Sequence, residues 1–352
     1  MYMKKLTFKH KLYLLYIRDL HEKKRINRKH RKKNYGDTHP FRSLVLPSVL
    51  DFSEDSYEET VNFFHKLREI SDEKDSRFQL DFVPLKKISP AAALFLTSEI
   101  DRFKVRSKHI RIKVKDFSHW DSNIRCQLRD MGMFDLLNIR NIHPKFLSEK
   151  SSADEEFIKF KSGRRADGEI FLEMRDVINE KIGNIPEAKV LQKGITEAMT
   201  NTSNHAYPES YMKNCILKVD KWWLSSSINK KTKTMTVIIC DQGVSIPKTI
   251  PENKIKLNIL NDLFGKSDAQ LIQIAVNNNK SQTNKSYRGK GLKDIKDYTK
   301  KAKGASLRII SRYGEYVAFS QRLDYITDHK SPILGTLIEW KAIFDIEGMQ
   351  RK

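Results

Sequence analysis

The chain has 352 residues, of which 39% are hydrophobic and 31% are charged. This balance is typical of a globular protein and excludes a largely disordered chain. The longest uncharged apolar run near the N-terminus, Leu12–Ile17, has six residues. Because so short a run cannot cross ~30 Å of hydrocarbon, we expect neither a transmembrane helix nor a signal peptide.

The formal net charge of +22 is unevenly distributed, since residues 1–34 hold thirteen Lys and Arg against Asp19 and Glu22, a net of +11. This basic N-terminal arm predicts attachment to a polyanion, either nucleic acid or an acidic protein. A solvated tail and an anionic membrane surface are the alternatives. The three cysteines lack zinc or redox spacing and fit a reducing compartment, so we expect a cytoplasmic protein.

Short strands alternate with helices along the chain, and this pattern predicts an α/β fold with two domains. The first domain is predicted at 41–140, a linker at 148–156 and the second domain at 157–345. In the first domain, strands are predicted at 43–50, 77–83 and 109–114, and helices at 58–71, 89–103 and 120–137. In the second, helices are predicted at 169–182, 187–206 and 292–302, helical segments within 256–277, and strands at 157–161, 215–224, 234–240, 305–311, 316–322 and 335–340.

Glu197 and Asn201 are four residues apart and are predicted to lie on one face of a helix. His205 follows at the same spacing, and Pro208 marks where the helix must end. The Glu197 carboxylate could activate water or a hydroxyl group, while the Asn201 amide could hold Mg2+ through nucleotide phosphates. The alternative is an ordinary solvated helix face.

Asp241 directly follows an apolar strand, where its carboxylate could accept a hydrogen bond from an amino group such as that of adenine. Gly243 permits close backbone approach or a positive φ. A plain turn after the strand is the alternative. Further on, Arg288-Gly289-Lys290-Gly291-Leu292 places two glycines and two cations before a predicted helix. Backbone N–H groups there could cradle phosphate.

The order and separation of these motifs resemble those of the GHKL family of ATPases and kinases (gyrase, heat-shock chaperone, histidine kinase, MutL), most closely its anti-sigma-factor serine kinase branch. The string Glu197-x-x-x-Asn201-x-x-x-His205-Ala-Tyr resembles the N box. Asp241 and Gly243 match the first glycine box, residues 288–292 the second, and Gly335-Thr336 the closing pair near the adenine. The resemblance implies a two-layer α/β sandwich with a mixed sheet. Ser245 departs from it, because many members have a second glycine there.

Residues 41–140 resemble a STAS domain, the fold of anti-sigma-factor antagonists. The likeness lies in Leu80-Asp81-Phe82 and in Ile88-Ser89-Pro90-Ala91-Ala92, where such antagonists have a strand and then a serine at a helix start. The resemblance makes Ser89 a candidate phosphoacceptor. The alternative is a helix N-cap, since Ser89 precedes a proline at the first helical turn.

Together these resemblances imply a regulator that binds ATP with Mg2+ and acts on a protein partner. Three functions stay open: an ATPase whose lid, roughly Gly265–Tyr287, opens and closes, a serine/threonine protein kinase, and a nucleotide sensor held on nucleic acid by its arm. Glu197 favours chemistry, because sensing needs no base. A homodimer is also open, since GHKL domains often work as dimers.

Overall fold

A computed structural model describes residues 42–72, 78–106, 112–140, 142–214, 219–252, 265–277 and 291–345. The predicted basic arm at 1–34, residues 278–287 of the predicted lid, and Arg288, Gly289 and Lys290 lie outside these ranges. From Ser43 onward, the described residues belong to one compact unit.

The first α/β region alternates short strands with two long helices, as predicted. Its elements are β1 (Arg42–Val45), β2 (Val49–Leu50), α1 (Tyr57–Asp72), β3 (Phe78–Asp81), β4 (Lys87–Ile88), α2 (Pro90–Arg106), β5 (Lys113–Lys115), a 3-10 turn (Phe117–His119), α3 (Ser122–Met131), α4 (Met133–Leu136) and α5 (Pro144–Leu147). Strands β1, β3 and β5 form one small sheet, while β2 and β4 pair separately in parallel.

Two predicted elements of this region are divided by residues with special backbone geometry. The helix predicted at 120–137 ends at Gly132, which has a φ of 90°, and restarts as α4. Asp121 caps α3 by accepting from the N–H groups of Asn123 and Ile124. The strand predicted at 43–50 is interrupted around Pro47, which has no N–H to donate to a ladder.

The remaining elements form a large sheet and the helices that cover it. They are β6 (Glu155–Gly163), α6 (Gly168–Ile182), α7 (Ala188–Asn201), a π-helix (Thr202–Ala206), α8 (Glu209–Asn214), β7 (Trp222–Asn229), β8 (Thr234–Asp241), α9 (Ile246–Glu252), α10 (Asp268–Asn277), α11 (Gly291–Lys301), β9 (Ser306–Ser311), β10 (Gly314–Phe319), β11 (Tyr325–Asp328) and β12 (Thr336–Ile343). Among these, α8, α9 and β11 were missed by the sequence analysis.

The large sheet has seven strands in the order β11-β10-β9-β12-β8-β7-β6. All six neighbouring pairs in that order are antiparallel. The prediction of a mixed sheet was therefore wrong. Parallel pairing is found instead in the first region, between β3 and β5 and between β2 and β4.

Both faces of the large sheet are buried. Successive residues of a strand point to opposite faces, and along β8 they alternate between two apolar clusters: Val237 and Ile239 pack with α6, α7, α10 and α11, while Ile238 and Cys240 pack with the first α/β region. Trp222 and Trp223 of β7 divide in the same way. The sheet is thus the middle of three layers, where a two-layer sandwich was predicted.

Polar contacts also join the first region to the sheet. Asp101 of α2 accepts hydrogen bonds from Lys221 Nζ at 2.9 Å and from Trp223 Nε1 at 3.0 Å. The segment predicted as a linker, 148–156, is held against α3, where Glu149 pairs with Arg125 at 2.7 Å. The structure thus places the two predicted domains in one mixed α/β unit with a shared core. In the part of the chain that is described, every helix is too short or too polar to cross a membrane.

Candidate functional site

Helix α7 places Glu197 beside the start of α11. Gly194 lets the two helices approach, because a Cβ at this position would lie 3.3 Å from the Asp294 carbonyl oxygen. Lys193 Nζ pairs with Asp294 Oδ1 at 2.9 Å. Burial, and then the Asp294 carboxylate, raises the pKa of Glu197, whereas Lys193 lowers it. A half-buried carboxylate with a raised pKa is suited to general base chemistry.

Asn201 is the last residue of α7, one turn beyond Glu197. Its Nδ2 is buried and has no hydrogen-bond partner among the described residues. Such a group costs ~1–3 kcal/mol, and a ligand or metal-bound water would satisfy it.

The π-helix that ends α7 packs against the turn that follows β8. Val244 N donates to the Ala206 carbonyl at 2.8 Å. A Cβ on Gly243 would lie 2.2 Å from that same oxygen, so only glycine fits there. The predicted need for close backbone approach at Gly243 is therefore confirmed, although the approaching backbone is the protein's own. His205 lies on the exposed side of this π-helix.

Asp241 ends β8 and is 8% exposed. Its Oδ1 accepts from Gly243 N at 2.9 Å, its Oδ2 accepts from Thr202 Oγ1 at 3.4 Å, and the Thr336 N–H also donates to the carboxylate. Burial outweighs these hydrogen bonds and raises the pKa of Asp241 to about 6. The carboxyl group thus stabilises a turn, as the plainer interpretation predicted, in a buried place that disfavours its ionised form.

Gly335 and Thr336 lie directly across from Asp241, at the start of β12. Gly335 has a φ of 93°, and a Cβ there would lie 2.1 Å from the Asp241 carbonyl oxygen. Thr336 pairs with Asp241 in the β8–β12 register, and its hydroxyl group is 2.9 Å from Ser311 Oγ. Gly335 and Thr336 therefore lie beside Asp241.

Some residues of this site were missed by sequence reasoning. Tyr207 donates its hydroxyl to the Lys221 carbonyl at 2.7 Å and accepts from Gln242 N at 2.9 Å. Burial, and then Asp241, raises its pKa, so the hydroxyl stays protonated. Gln242 Nε2 donates to Ser98 Oγ of α2 at 2.8 Å. Tyr207 ends the string that resembles the N box, so the sequence offered a signal for it. Nothing in the sequence links Gln242 to Ser98.

Ser245 occupies a conformation that its side chain disfavours. Its φ is 85°, in the region that glycine adopts freely. Ser245 thus adopts the glycine-like conformation although it departs from the resemblance at this position. At the helix start in the first region, Ser89 Oγ accepts from Ala92 N at 3.3 Å, so its N-cap role is confirmed. Its role as a phosphoacceptor stays a prediction.

Asp241, Gly243 and Thr336 meet at the ends of β8 and β12. Asn201 and Glu197 lie on α7, which continues into the π-helix whose Thr202 contacts Asp241. Gly291 and Leu292 begin α11, and Leu292 packs against the core. No three His, Cys, Asp or Glu side chains within the described ranges are placed to hold a metal ion. Comparison with models of known protein families and with curated proteins finds no match to this chain.

Proposed function

We propose that this chain is a regulatory protein that binds ATP with Mg2+ in a GHKL-like site within residues 157–345. The observation that carries the proposal is the buried, ionisable Asp241 in contact with the end of the helix that bears Asn201 and Glu197. An ordinary turn can form without a buried carboxylate, whose charged form burial destabilises. A ligand that donates a hydrogen bond to that carboxylate would repay the cost.

Adenine is the base that fits this carboxylate. Its exocyclic amino group donates, so Asp241 can accept from it, whereas guanine presents a carbonyl oxygen at the equivalent ring position. Two buried acceptors facing each other lose a hydrogen bond and add repulsion. The proposal therefore includes selectivity for ATP over GTP.

Asn201 and Glu197 are proposed to act on the phosphate side. With no all-protein metal cluster among the described residues, Mg2+ would be held by the phosphates together with the Asn201 carboxamide, as is usual for this ion. Glu197 would take the proton from an attacking water or hydroxyl group. The raised pKa of Glu197 supports this role. The resemblance adds residues 288–292 and His205 to the proposed ATP-binding residues.

A regulatory role is proposed because the first α/β region touches the adenine-reading turn. Ser98 of α2 holds Gln242, the residue that follows Asp241. We propose that a conformational change in this region reaches Asp241 through Ser98 and Gln242. We propose that the region is STAS-like, that a protein partner is controlled through it, and that the arm at 1–34 provides attachment to nucleic acid or an acidic protein.

The test has two steps on the full chain. Calorimetry with Mg2+ should show ATP binding at least tenfold tighter than GTP, the factor that corresponds to ~1.4 kcal/mol. Equal affinities, or no binding of ATP, would reject the adenine site. ATP labelled at the γ-phosphate then shows whether label is released as phosphate, which identifies an ATPase, or enters protein, which identifies a kinase. Label that stays on ATP with every partner tested would leave a sensor.

A matched control is available in Asp81. This aspartate also ends a buried strand and accepts from the backbone N–H two residues further on, Val83, at 3.1 Å. It differs by pairing with Lys115 and by lying in the first region. Asp81→Asn should leave ATP affinity unchanged, because the geometry of the turn is shared but the site is not.

A further inference from the structure

The loop between β11 and β12, residues 329–335, ends beside the proposed adenine contact. Thr336, the first residue of β12, donates its N–H to the carboxylate of Asp241. At the start of the loop and near its end, the N–H groups of His329 and Ile333 bond to the turn between β9 and β10. The position of this loop therefore sets where the Thr336 N–H meets Asp241.

Helix α1 of the first region holds the middle of this loop through Glu58. Glu58 lies in the first turn of α1, and its Oε1 accepts from Lys330 N at 3.0 Å and from Ser331 N at 3.3 Å. Burial raises the pKa of Glu58, but hydrogen bonds from Ser331 and Lys330 outweigh burial and lower it. The carboxylate is therefore ionised at neutral pH, and its hydrogen bonds to the loop backbone are charge-assisted.

Two other side chains of α1 contact the loop on either side of these hydrogen bonds. The Tyr57 ring stacks on the His329 ring, with the centroids 3.5 Å apart and the planes at 10°. His65, two helical turns further on, donates from Nε2 to the Pro332 carbonyl at 2.7 Å. One helix thus contacts all four residues from His329 to Pro332, so the loop cannot shift without breaking contacts to α1.

We propose that Glu58 is a positioning residue of the nucleotide site and acts on Asp241 through the β11–β12 loop. Without the carboxylate, two loop N–H groups lose their acceptor, the middle of the loop is freed, and Thr336 holds Asp241 less firmly. This connection is separate from that of Ser98 with Gln242, because it reaches Asp241 from β12 and not from the turn after β8. Its effect on ATP rests on the proposed function, whereas its effect on the loop does not.

Amide hydrogen exchange on the full chain tests the effect on the loop. In Glu58→Ala, the Thr336 N–H should exchange about tenfold faster than in the wild type. The Trp340 N–H, further along β12, should be unchanged, and it reports any loosening of the whole sheet. Glu59→Ala is the matched control and should exchange like the wild type. Glu59 lies in the same helical turn, but its exposed side chain makes no polar contact within the described ranges.

Calorimetry with ATP and Mg2+ tests the effect on the site. Glu58→Ala should bind ATP about threefold to tenfold more weakly than the wild type, and Glu59→Ala equally well. Glu58→Gln keeps a carbonyl oxygen for the loop N–H groups, so it should bind ATP more tightly than Glu58→Ala.

Unchanged Thr336 exchange in Glu58→Ala would overturn the positioning role. So would acceleration of Thr336 and Trp340 alike, wild-type ATP affinity in Glu58→Ala, or an equal loss of affinity in Glu59→Ala. A wild type that does not bind ATP would reject the proposed nucleotide site instead, and Thr336 exchange would still decide whether Glu58 positions the loop.

Discussion

Asp241→Asn should make the protein more stable at neutral pH while it abolishes tight ATP binding. The carboxylate of Asp241 is buried, and its pKa in the folded state is about 6 against an ordinary value of 3.8. This difference corresponds to roughly 3 kcal/mol of folding free energy lost by holding the ionised form. Asparagine has no charge and keeps an acceptor for the Gly243 N–H, but its NH2 group cannot accept from Thr202 or Thr336. The gain in stability is therefore at most roughly 3 kcal/mol.

The stability difference between the wild type and Asp241→Asn should depend on pH. Below about pH 4 the carboxyl group is protonated in both the folded and the unfolded chain, and the substitution has little electrostatic effect. As pH rises from about 4 to about 6, the unfolded chain loses its proton first, so the wild type loses stability relative to Asp241→Asn. Above about pH 7 the advantage of the variant should no longer change with pH and should be at most roughly 3 kcal/mol.

ATP binding should change in the opposite direction. Removing the carboxylate that accepts from the adenine amino group costs ~1.5–3 kcal/mol, or roughly tenfold to a hundredfold in affinity. For the same reason, ATP binding by the wild type should weaken as pH falls through about 6, where Asp241 gains a proton. Binding by Asp241→Asn should show no such step.

The assay is urea unfolding of wild type, Asp241→Asn and Asp81→Asn between pH 4 and 8, with ATP titrations on the same samples. Asp81→Asn should gain no stability, because it deprives the Lys115 ammonium of its partner at 2.9 Å. If Asp241→Asn is no more stable than the wild type at pH 7.5, the reasoning about the buried charge is refuted. If it binds ATP as the wild type does, the adenine pocket is misplaced.

Other substitutions test separate parts of the site. Glu197→Gln should lower turnover of ATP by ~10²–10⁴ with little change in ATP affinity, measured by phosphate release and calorimetry. Asn201→Ala should reduce the difference in ATP affinity between samples with and without Mg2+, a difference that an unrelated role for Asn201 would leave intact. Gly335→Ala should lower the free energy of unfolding in urea by at least ~2 kcal/mol, because its Cβ would clash with the Asp241 carbonyl. Gly183→Ala is the control: Gly183 has a φ of 88° but nothing within 4 Å of the added Cβ, so only backbone strain of ~1 kcal/mol is expected. Deleting residues 1–34 should lower affinity for DNA or RNA and leave ATP binding unchanged. The slope of log affinity against log salt should flatten by about 0.9 per lost phosphate contact. Full-length protein that does not bind nucleic acid at low salt would contradict the attachment.

The bounds of helices and strands with a regular spacing of apolar residues were predicted closely. The helix predicted at 169–182 is observed at Gly168–Ile182, and the strand predicted at 234–240 at Thr234–Asp241. By contrast, β7 was predicted at 215–224 and is observed at Trp222–Asn229. The prediction ended the strand before Ser225–Ser227, which are polar yet fully buried. Ser225 donates to the Ile158 carbonyl and Ser227 bonds to Glu155, whereas Ser226 Oγ has no partner among the described residues.

The third layer was also missed, although its signal was present. Continuous apolar runs such as Trp222–Leu224 and Val237–Cys240 indicate strands buried on both faces, whereas a two-layer sandwich leaves one face of its sheet open. Within the site, Glu197, Asn201 and Asp241 could be named because each falls in a motif with fixed spacing. The hydrogen bond from Gln242 to Ser98 could not be predicted, since the two residues are 144 positions apart and no sequence motif or hydrophobic pattern links them.

The shared core sets the order in which this protein can fold as it is synthesised. The apolar cluster that covers the first α/β region includes Phe52 and Phe95 but is completed by Trp223, Ile238 and Leu337. Leu337 lies on β12, which pairs in the middle of the sheet between β8 and β9. The apolar face of the first region therefore cannot be fully covered before β12 has been synthesised, and during that interval it is open to chaperones.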